Sequence, residues 1–210
     1  MVASAVSTAT VLPQILCYVS DDDTSYDGQD FPHITFIRGP RLLLSDLWNA
    51  LIPYAKGDIF MQCADDALFR TSMWDRAVEK AFAECSDKIL LAFADDLSKQ
   101  HRGKFATLPF VHRRWVETVG YFTGPGFASW YSDTWPNDVA DMIGRKRYLP
   151  NVAIEHVHAK YKKAPMDATY QEGAALRQQQ DLAKLYADRM PERIADAAKL
   201  RAVMSKAVSA

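Results

Sequence analysis

The chain has 210 residues, of which 49% are hydrophobic and 24% charged, a composition that suits one globular domain or a domain with a helical appendage. Its 25 basic and 26 acidic residues nearly cancel, which excludes a global basic field of the kind that drives nonspecific nucleic-acid binding. Three cysteines without CxxC spacing argue against a disulfide framework. No stretch has the length and apolarity of a signal peptide or membrane span, so we expect a soluble, cytoplasmic protein with no membrane partner.

The first half of the chain predicts strands and helices in alternation. Strands are expected over 14–20, 33–37, 59–64 and 88–94, and helices over 1–9, 44–55 and 72–82. Strands that alternate with helices indicate an α/β fold with a mainly parallel sheet.

Three of these strands end in acidic residues, at Asp21–Asp23, Asp65–Asp66 and Asp95–Asp96. In open α/β sheets, ligands bind in the crevice outside the carboxyl ends of the strands, and carboxylate oxygens there suit a divalent cation. The run before Asp65–Asp66 reads as a buried strand. The alternative is that this pair caps the segment that follows it.

The second half is richer in aromatic residues. Segment 121–130 has the aromatic and glycine-rich composition of a shaped loop. A helix is expected to begin at Asp133–Pro136, because proline is favoured at the first helical position and Asp or Thr before it can cap. A strand over 151–158 then places His156 and His158 on one face.

We expect a main domain over residues 1–165 and a C-terminal helical appendage over 166–210. The appendage contains two polar helices, predicted over 168–188 and 191–206. These helices either pack on the sheet or mediate a homodimer, and their composition does not decide between the two.

The order of these motifs resembles a known family. The fragments that carry the resemblance are Tyr18–Asp23, Gly39–Arg41, Trp48-Asn49, Gly57-Asp58 with Asp65-Asp66, His112–Trp115, Gly120–Phe122, Asp133–Trp135, Gly144-Arg145 and Glu155–His158. Together they resemble family-2-type glycosyltransferases with the GT-A fold, in particular the short versions carried by bacteriophages. Across most of residues 14–167, the resemblance implies metal-dependent, inverting transfer of a sugar from a nucleoside-diphosphate sugar to a hydroxyl. It implies a UDP-sugar as donor, a modified DNA base as one acceptor, and the host cytoplasm as the location of a phage-encoded protein.

The resemblance also implies a metal site. Asp66, with Asp65 beside it, corresponds to the family's DxD-type motif, whose Mg²⁺ or Mn²⁺ stabilises the leaving diphosphate as a Lewis acid. His156 and His158 are the further metal ligands that the resemblance implies, with His156 preferred. The motif here is Ala64-Asp65-Asp66 rather than Asp-x-Asp, which leaves the ligand within the pair open.

The remaining roles concern the base and the donor. Asp133 corresponds to the general base that deprotonates the acceptor hydroxyl, and its alternative is simple helix capping. The expected donor contacts are Asp21, Asp22, Asp23, Arg41, Asp65 and Trp135. Their alternatives are a solvated turn for the three acids, an exposed structural Arg or an ion pair with those acids for Arg41, and a core position for Trp135. Trp130 and Tyr131 offer further stacking surface for a sugar or base.

The chain departs from the family at its start. Members begin with a strand that cradles the nucleotide base, and this strand is not recognisable here. Either the start is truncated, or another segment completes the sheet, or donor binding is weakened. The competing functions are a noncatalytic binding or assembly protein with a degenerate site, and a nucleotidyltransferase, for which the expected N-terminal glycine-rich phosphate loop is not recognisable.

Overall fold

The computed structural model describes residues 1–157 and 181–208, except for the side chains of 206–208. Helices are α1 (Val2–Thr8), α2 (Leu44–Leu51), α3 (Trp74–Ala83), α4 (Arg113–Val119), α5 (Thr134–Ile143), α6 (Leu182–Asp188) and α7 (Met190–Val208). Strands are β1 (Ile15–Ser20), β2 (Ile34–Gly39), β3 (Ile59–Met61), β4 (Ala67–Phe69), β5 (Leu91–Asp95), β6 (Pro109–His112) and β7 (Lys146–His156). Within the described ranges, no helix combines the length and apolarity needed to cross a membrane.

The described strands form two sheets. The larger has the order β3-β6-β5-β7-β4, and β1 pairs with β2 in a separate parallel sheet. In the larger sheet β5 lies parallel to β7, whereas the β3–β6, β5–β6 and β4–β7 pairs are antiparallel. The α/β class is confirmed, but the sheet is mixed rather than mainly parallel as expected.

The connections explain the mixed directions. The chain returns from β5 to β6 through turns and coil over 96–108, with no helix between them, so the two strands run antiparallel. Strand β6 returns the chain to the end of the sheet at which β5 begins, so β7, which follows α4 and α5, runs parallel to β5. A segment from the second half of the chain therefore supplies the parallel neighbour of β5.

The sheet separates two apolar clusters, and β5 faces both. Leu91 and Phe93 belong to the cluster packed against α4, α5 and α7, whereas Ala92 and Ala94 belong to the cluster packed against α1 and α3. Successive side chains of a strand point to opposite faces, which produces this alternation. All residues of β5 are buried, so β5 is the central strand.

Helix α7 packs into the first cluster. Ala197 and Leu200 are buried there, and the helix contacts α4 and α5. The two predicted C-terminal helices correspond in part to α6 and α7. The predicted boundary between 165 and 166 lies outside the described residues, so the division into two parts stays a prediction.

Candidate functional site

The carboxyl end of β5 carries two buried carboxylates, of which Asp95 is the first. Its Oδ1 accepts a hydrogen bond from the Leu97 N–H at 3.0 Å, and its Oδ2 lies 2.7 Å from Nε of Arg102. The Tyr148 hydroxyl interacts with both Asp95 and Arg102, and burial raises the pKa of Tyr148. These contacts fasten the loop after β5 to the sheet.

Asp96 is the second buried carboxylate. Its Oδ1 accepts from the Ser98 N–H at 2.9 Å, and its Oδ2 accepts from the Thr107 hydroxyl at 2.7 Å. Nδ1 of His101 lies 3.7 Å from the same Oδ2 and 3.3 Å from the Thr107 hydroxyl oxygen. An imidazole, a hydroxyl and a carboxylate therefore meet at the end of the central strand.

The Asp95–Asp96 pair is recognisable in the sequence as acids that end a strand, but no specific role was predicted for the pair, and His101 was not among the predicted site residues. The run 89–94 before the pair is fully apolar and every residue in it is buried. That unbroken apolar run was the sequence feature that could have identified β5 as the central strand.

Asp133 lies directly before α5, close to this acid pair. Asn137, buried in the first turns of α5, donates from Nδ2 to the Asp133 carbonyl at 2.9 Å. The same side chain exchanges hydrogen bonds with the backbone of Ala106, accepting at 3.0 Å and donating at 2.9 Å. Ala106 is followed by Thr107, whose hydroxyl donates to Asp96. The backbone at 106–107 and the Asn137 side chain therefore link Asp96 to Asp133.

The environment of the Asp133 carboxylate favours the protonated form. Burial raises its pKa, while hydrogen bonds from Thr134 and the charge of a protonated His101 act in the opposite direction. Its side chain makes no capping hydrogen bond to α5, and the Thr134 hydroxyl donates to it at 3.4 Å. A carboxylate with a raised pKa is a stronger base than an ordinary one.

Two of the expected metal ligands are in contact with each other. Nε2 of His156 lies 3.0 Å from Oδ1 of Asp66. The pair sits beside β5, since the His156 N–H donates to the Asp96 carbonyl at 3.3 Å and the Val157 N–H donates to the Asp66 carbonyl at 2.9 Å. His158 lies outside the described residues.

These side chains do not fit a metal ion by themselves. Across 1–157 and 181–205, no group of three or more His, Cys, Asp or Glu side chains is arranged to hold one. Mg²⁺ and Mn²⁺ prefer a nearly complete shell of oxygen ligands, and Asp66 with His156 provides a single pair. Asp66 and His156 alone are therefore too few ligands for either ion.

The strand before Asp65–Asp66 is half-buried at the edge of the sheet, whereas the sequence predicted a buried strand there. The preceding strand covers only Ile59–Met61 at the edge of the sheet, and the acids lie in the turn between β3 and β4. The Gln62 N–H still donates to the carbonyl of Pro109. Proline has no N–H to continue the ladder, so the predicted strand over 59–64 ends early.

Asp65 is exposed and faces the small β1–β2 sheet. Burial raises the pKa of the Cys17 thiol, and the charges of Asp65 and Asp23 raise it further. Both carboxylates therefore lie near Cys17 on β1. The structure thus brings Asp65 together with the acids that follow β1.

The acids after β1 lie at or near the surface, and two of them contact neighbouring side chains. Asp22 pairs with Arg41 at 3.0 Å, and both side chains are exposed, so the ion-pair alternative for Arg41 is observed. Asp23 accepts from the Ser25 hydroxyl at 2.6 Å and from its N–H at 2.9 Å, which lowers the pKa of Asp23. Asp21 is exposed.

The two tryptophans beside Asp133 have opposite exposures. Trp135 is 1% exposed and packs against Phe127 with ring centroids 6.0 Å apart. No face of its indole is open to a donor, so the core alternative for Trp135 is observed instead of the expected donor contact. Trp130 is 62% exposed, so much of its indole surface faces solvent.

The comparisons with known proteins found a distant likeness among solved structures. No protein-family model matches the chain, and no curated protein matches it. Among solved structures, the chain is similar to the mannosyltransferase PcManGT from Pyrobaculum calidifontis in complex with GDP-Man and Mn²⁺. The two are 15% identical, with a TM-score of 0.44, over 83% of this chain and 69% of the other. A likeness of this size carries no argument about fold or function.

Proposed function

We propose that this chain is a GT-A-like glycosyltransferase that moves a sugar from a nucleoside-diphosphate sugar to a hydroxyl acceptor, with Asp133 as the general base. One observation carries the proposal. The Asp133 carboxylate, whose pKa is raised by burial, stands at the start of α5 beside the acid-bearing end of the central strand. Open α/β sheets bind ligands at this end of their strands.

The proposed reaction is a single displacement. The acceptor oxygen attacks the anomeric carbon and forms the new glycosidic bond, while the bond to the donor diphosphate breaks on the opposite face. Asp133 accepts the proton that the acceptor hydroxyl loses. The nucleoside diphosphate leaves with the bonding electron pair, and the configuration at the anomeric carbon is inverted.

The proposal also assigns the groups that bind the donor and the acceptor. Asp21–Asp23, Arg41 and Asp65 contact the donor nucleotide, with a UDP-sugar as the first candidate. The exposed ring of Trp130 stacks on a sugar or on the acceptor, since aromatic faces suit sugar rings. The divalent metal implied by the resemblance, with Asp66, His156 and His158 as its ligands, is tested by chelation.

The test compares Asp133→Asn with Asp141→Asn. Asp141 is an exposed residue near the other end of α5, paired with Lys146 at 3.0 Å, so its change removes a charge from the same helix. In an assay of donor-sugar turnover, Asp133→Asn should lose at least about 100-fold in kcat and keep donor binding. Asp141→Asn should behave as wild type. Turnover retained by Asp133→Asn would reject Asp133 as the base.

A noncatalytic protein of the same architecture is the second candidate. The observation that favours it is that each carboxylate oxygen of Asp95 and Asp96 already accepts a hydrogen bond within the protein. Ligand binding without any sugar turnover, in wild type as in Asp133→Asn, would support this candidate.

A further inference from the structure

The aromatic segment before Asp133 is held on one side by α2. Oδ1 of Asn49 accepts from the N–H groups of Phe122 and Thr123 at 3.0 and 3.2 Å. The Ser45 hydroxyl accepts from the Phe127 N–H at 2.9 Å. These bonds satisfy backbone groups of a segment that has no regular structure of its own. The segment is therefore attached to α2 by hydrogen bonds at both of its ends.

Helix α7 holds the other side through a buried carboxylate. Oδ2 of Asp196 accepts from the Tyr121 hydroxyl and from Nε1 of Trp135 at 3.2 Å. The gap between these rings and Asp196 leaves no room for a water molecule. Nζ of Lys199 lies 3.5 Å from the other carboxylate oxygen. Without Asp196, two donors would be buried unpaired, which is costly.

One turn earlier, α7 contributes a buried guanidinium. Arg193 is 1% exposed, and its guanidinium carbon lies 5.2 Å from the Trp135 ring centroid and 3.6 Å from that of Tyr186. Its Nη1 donates to the Tyr186 carbonyl at 2.6 Å, and its Nε lies 3.5 Å from Oδ2 of Asp138. Trp135 is thus fixed by a cation–π contact as well as by a hydrogen bond.

Trp135 connects these groups to Asp133. It is the second residue of α5, two positions after Asp133, and its N–H donates to the Tyr131 carbonyl at 2.9 Å. We propose that Asp196 and Arg193 are positioning residues that fix Trp135 and thereby orient Asp133 at the start of α5. The inference rests on the proposed function only in taking Asp133 as the base.

The chemistry of the two residues favours this role over a purely stabilising one. Buried ion pairs and buried charges stabilise a fold no better than well-packed apolar residues of the same volume. A carboxylate and a guanidinium also fix the orientation of the groups they contact, because each accepts or donates hydrogen bonds along fixed axes. An orientation error of about 1 Å at a reacting group can lower a rate by about 100-fold.

The first variant is Asp196→Asn, which keeps the shape of the side chain but weakens both hydrogen bonds. The readout is the pKa of Asp133, measured by ¹³C NMR titration of its carboxyl carbon and assigned with Asp133→Asn. The groups that face Asp133 are His101 from the loop after β5 and Thr134 of α5. Looser packing admits water, so the pKa of Asp133 should fall towards its ordinary value. The matched control is Asp188→Asn, an exposed acid on α6 paired with Lys184.

Catalysis provides the second readout. Asp196→Asn should lower kcat by a factor approaching 100 and shift the acid limb of its pH profile downward, with little change in the KM for the donor. A merely structural role would lower the melting temperature and leave both the pKa of Asp133 and the pH profile in place. That result overturns the inference.

A milder variant keeps the test usable where Asp196→Asn does not fold. Tyr121→Phe removes one of the two donors to Asp196, and it should move the pKa of Asp133 in the same direction by less. The titration needs no activity. If the variants shift the pKa of Asp133 but the wild-type protein turns over no sugar, the positioning role is supported and the proposed function is rejected. If the wild type turns over sugar but the variants leave the pKa of Asp133 unchanged, the proposed function stands and the positioning role is rejected.

Discussion

Leu200 tests whether α7 is part of the core or an appendage. It is 0% exposed and belongs to the same cluster as Trp115 and Ile143, whereas Ile194 on the same helix is 55% exposed. Leu200→Ala and Ile194→Ala each remove three side-chain carbons from α7. The two variants therefore differ mainly in burial.

The expected magnitudes follow from that difference. Leu→Ala at a closed core site lowers the free energy of unfolding by about 2–5 kcal/mol, because a cavity remains. For a chain of 210 residues, each kcal/mol changes the melting temperature by about 2–4 °C, so Leu200→Ala should melt about 4–20 °C lower. Ile194→Ala should change stability by at most about 0.5 kcal/mol.

The assay is thermal unfolding followed by near-UV circular dichroism. All five tryptophans precede residue 136, so the signal reports on the chain outside α7. If α7 belongs to the core, the tryptophan transition of Leu200→Ala moves to lower temperature. Equal tryptophan transitions in Leu200→Ala and Ile194→Ala would refute the packing described for α7.

Two further predictions concern the segment around Asp133. Asp133→Asn should raise the free energy of unfolding at neutral pH, because burial raises the pKa of Asp133 in the folded state and its ionisation opposes folding. This advantage over wild type should vanish below the unfolded-state pKa of about 3.9, as urea unfolding at several pH values would show, and a pH-independent difference would contradict it. Gly124→Ala should lower stability by about 1–3 kcal/mol, because the added Cβ would overlap the Trp135 ring. The control is Gly57→Ala, whose Cβ would come no closer than 3.9 Å to another residue, and equal melting temperatures for the two variants would exclude the overlap.

Local sequence cues predicted the elements that depend on local structure. The predicted strand over 14–20 corresponds to β1, and the predicted helix start at Asp133–Pro136 corresponds to α5. The sequence cues were a proline in the first turn of a helix and an apolar run that ends at acidic residues. Each cue involves only a few neighbouring residues. Such cues are readable without knowing the fold.

Pairing between distant segments was not readable in this way. The parallel neighbour of β5 is β7, more than fifty residues later in the chain, and no local pattern indicates that choice. The choice of Asp65–Asp66 over Asp95–Asp96 as the main acid pair had the same cause. Both pairs follow apolar runs. The unbroken run 89–94 before the second pair was a local cue, and the sheet order shows that the strand it forms is central.

Helical periodicity also left the surroundings of Trp135 undecided. The spacing of apolar residues in α5 places Trp135 on one face, but it does not show what covers that face. Some of the groups that cover Trp135 come from α7, where Asp196 bonds to residues 61 and 75 positions away in the chain. Helical periodicity shows which face of a helix is buried, but it does not show which residues cover that face.

The most direct test of the central claim is calorimetric titration of the wild-type chain with nucleoside diphosphates and their sugar conjugates. The panel contains UDP, GDP and CDP with their common sugars, including GDP-mannose, each with Mn²⁺ and with EDTA. The proposed function predicts saturable binding of one nucleotide and its sugar conjugate, and the difference between the Mn²⁺ and EDTA titrations shows whether that binding needs a divalent metal. If none of these compounds binds, the proposal that this chain has a nucleotide-sugar donor site is wrong.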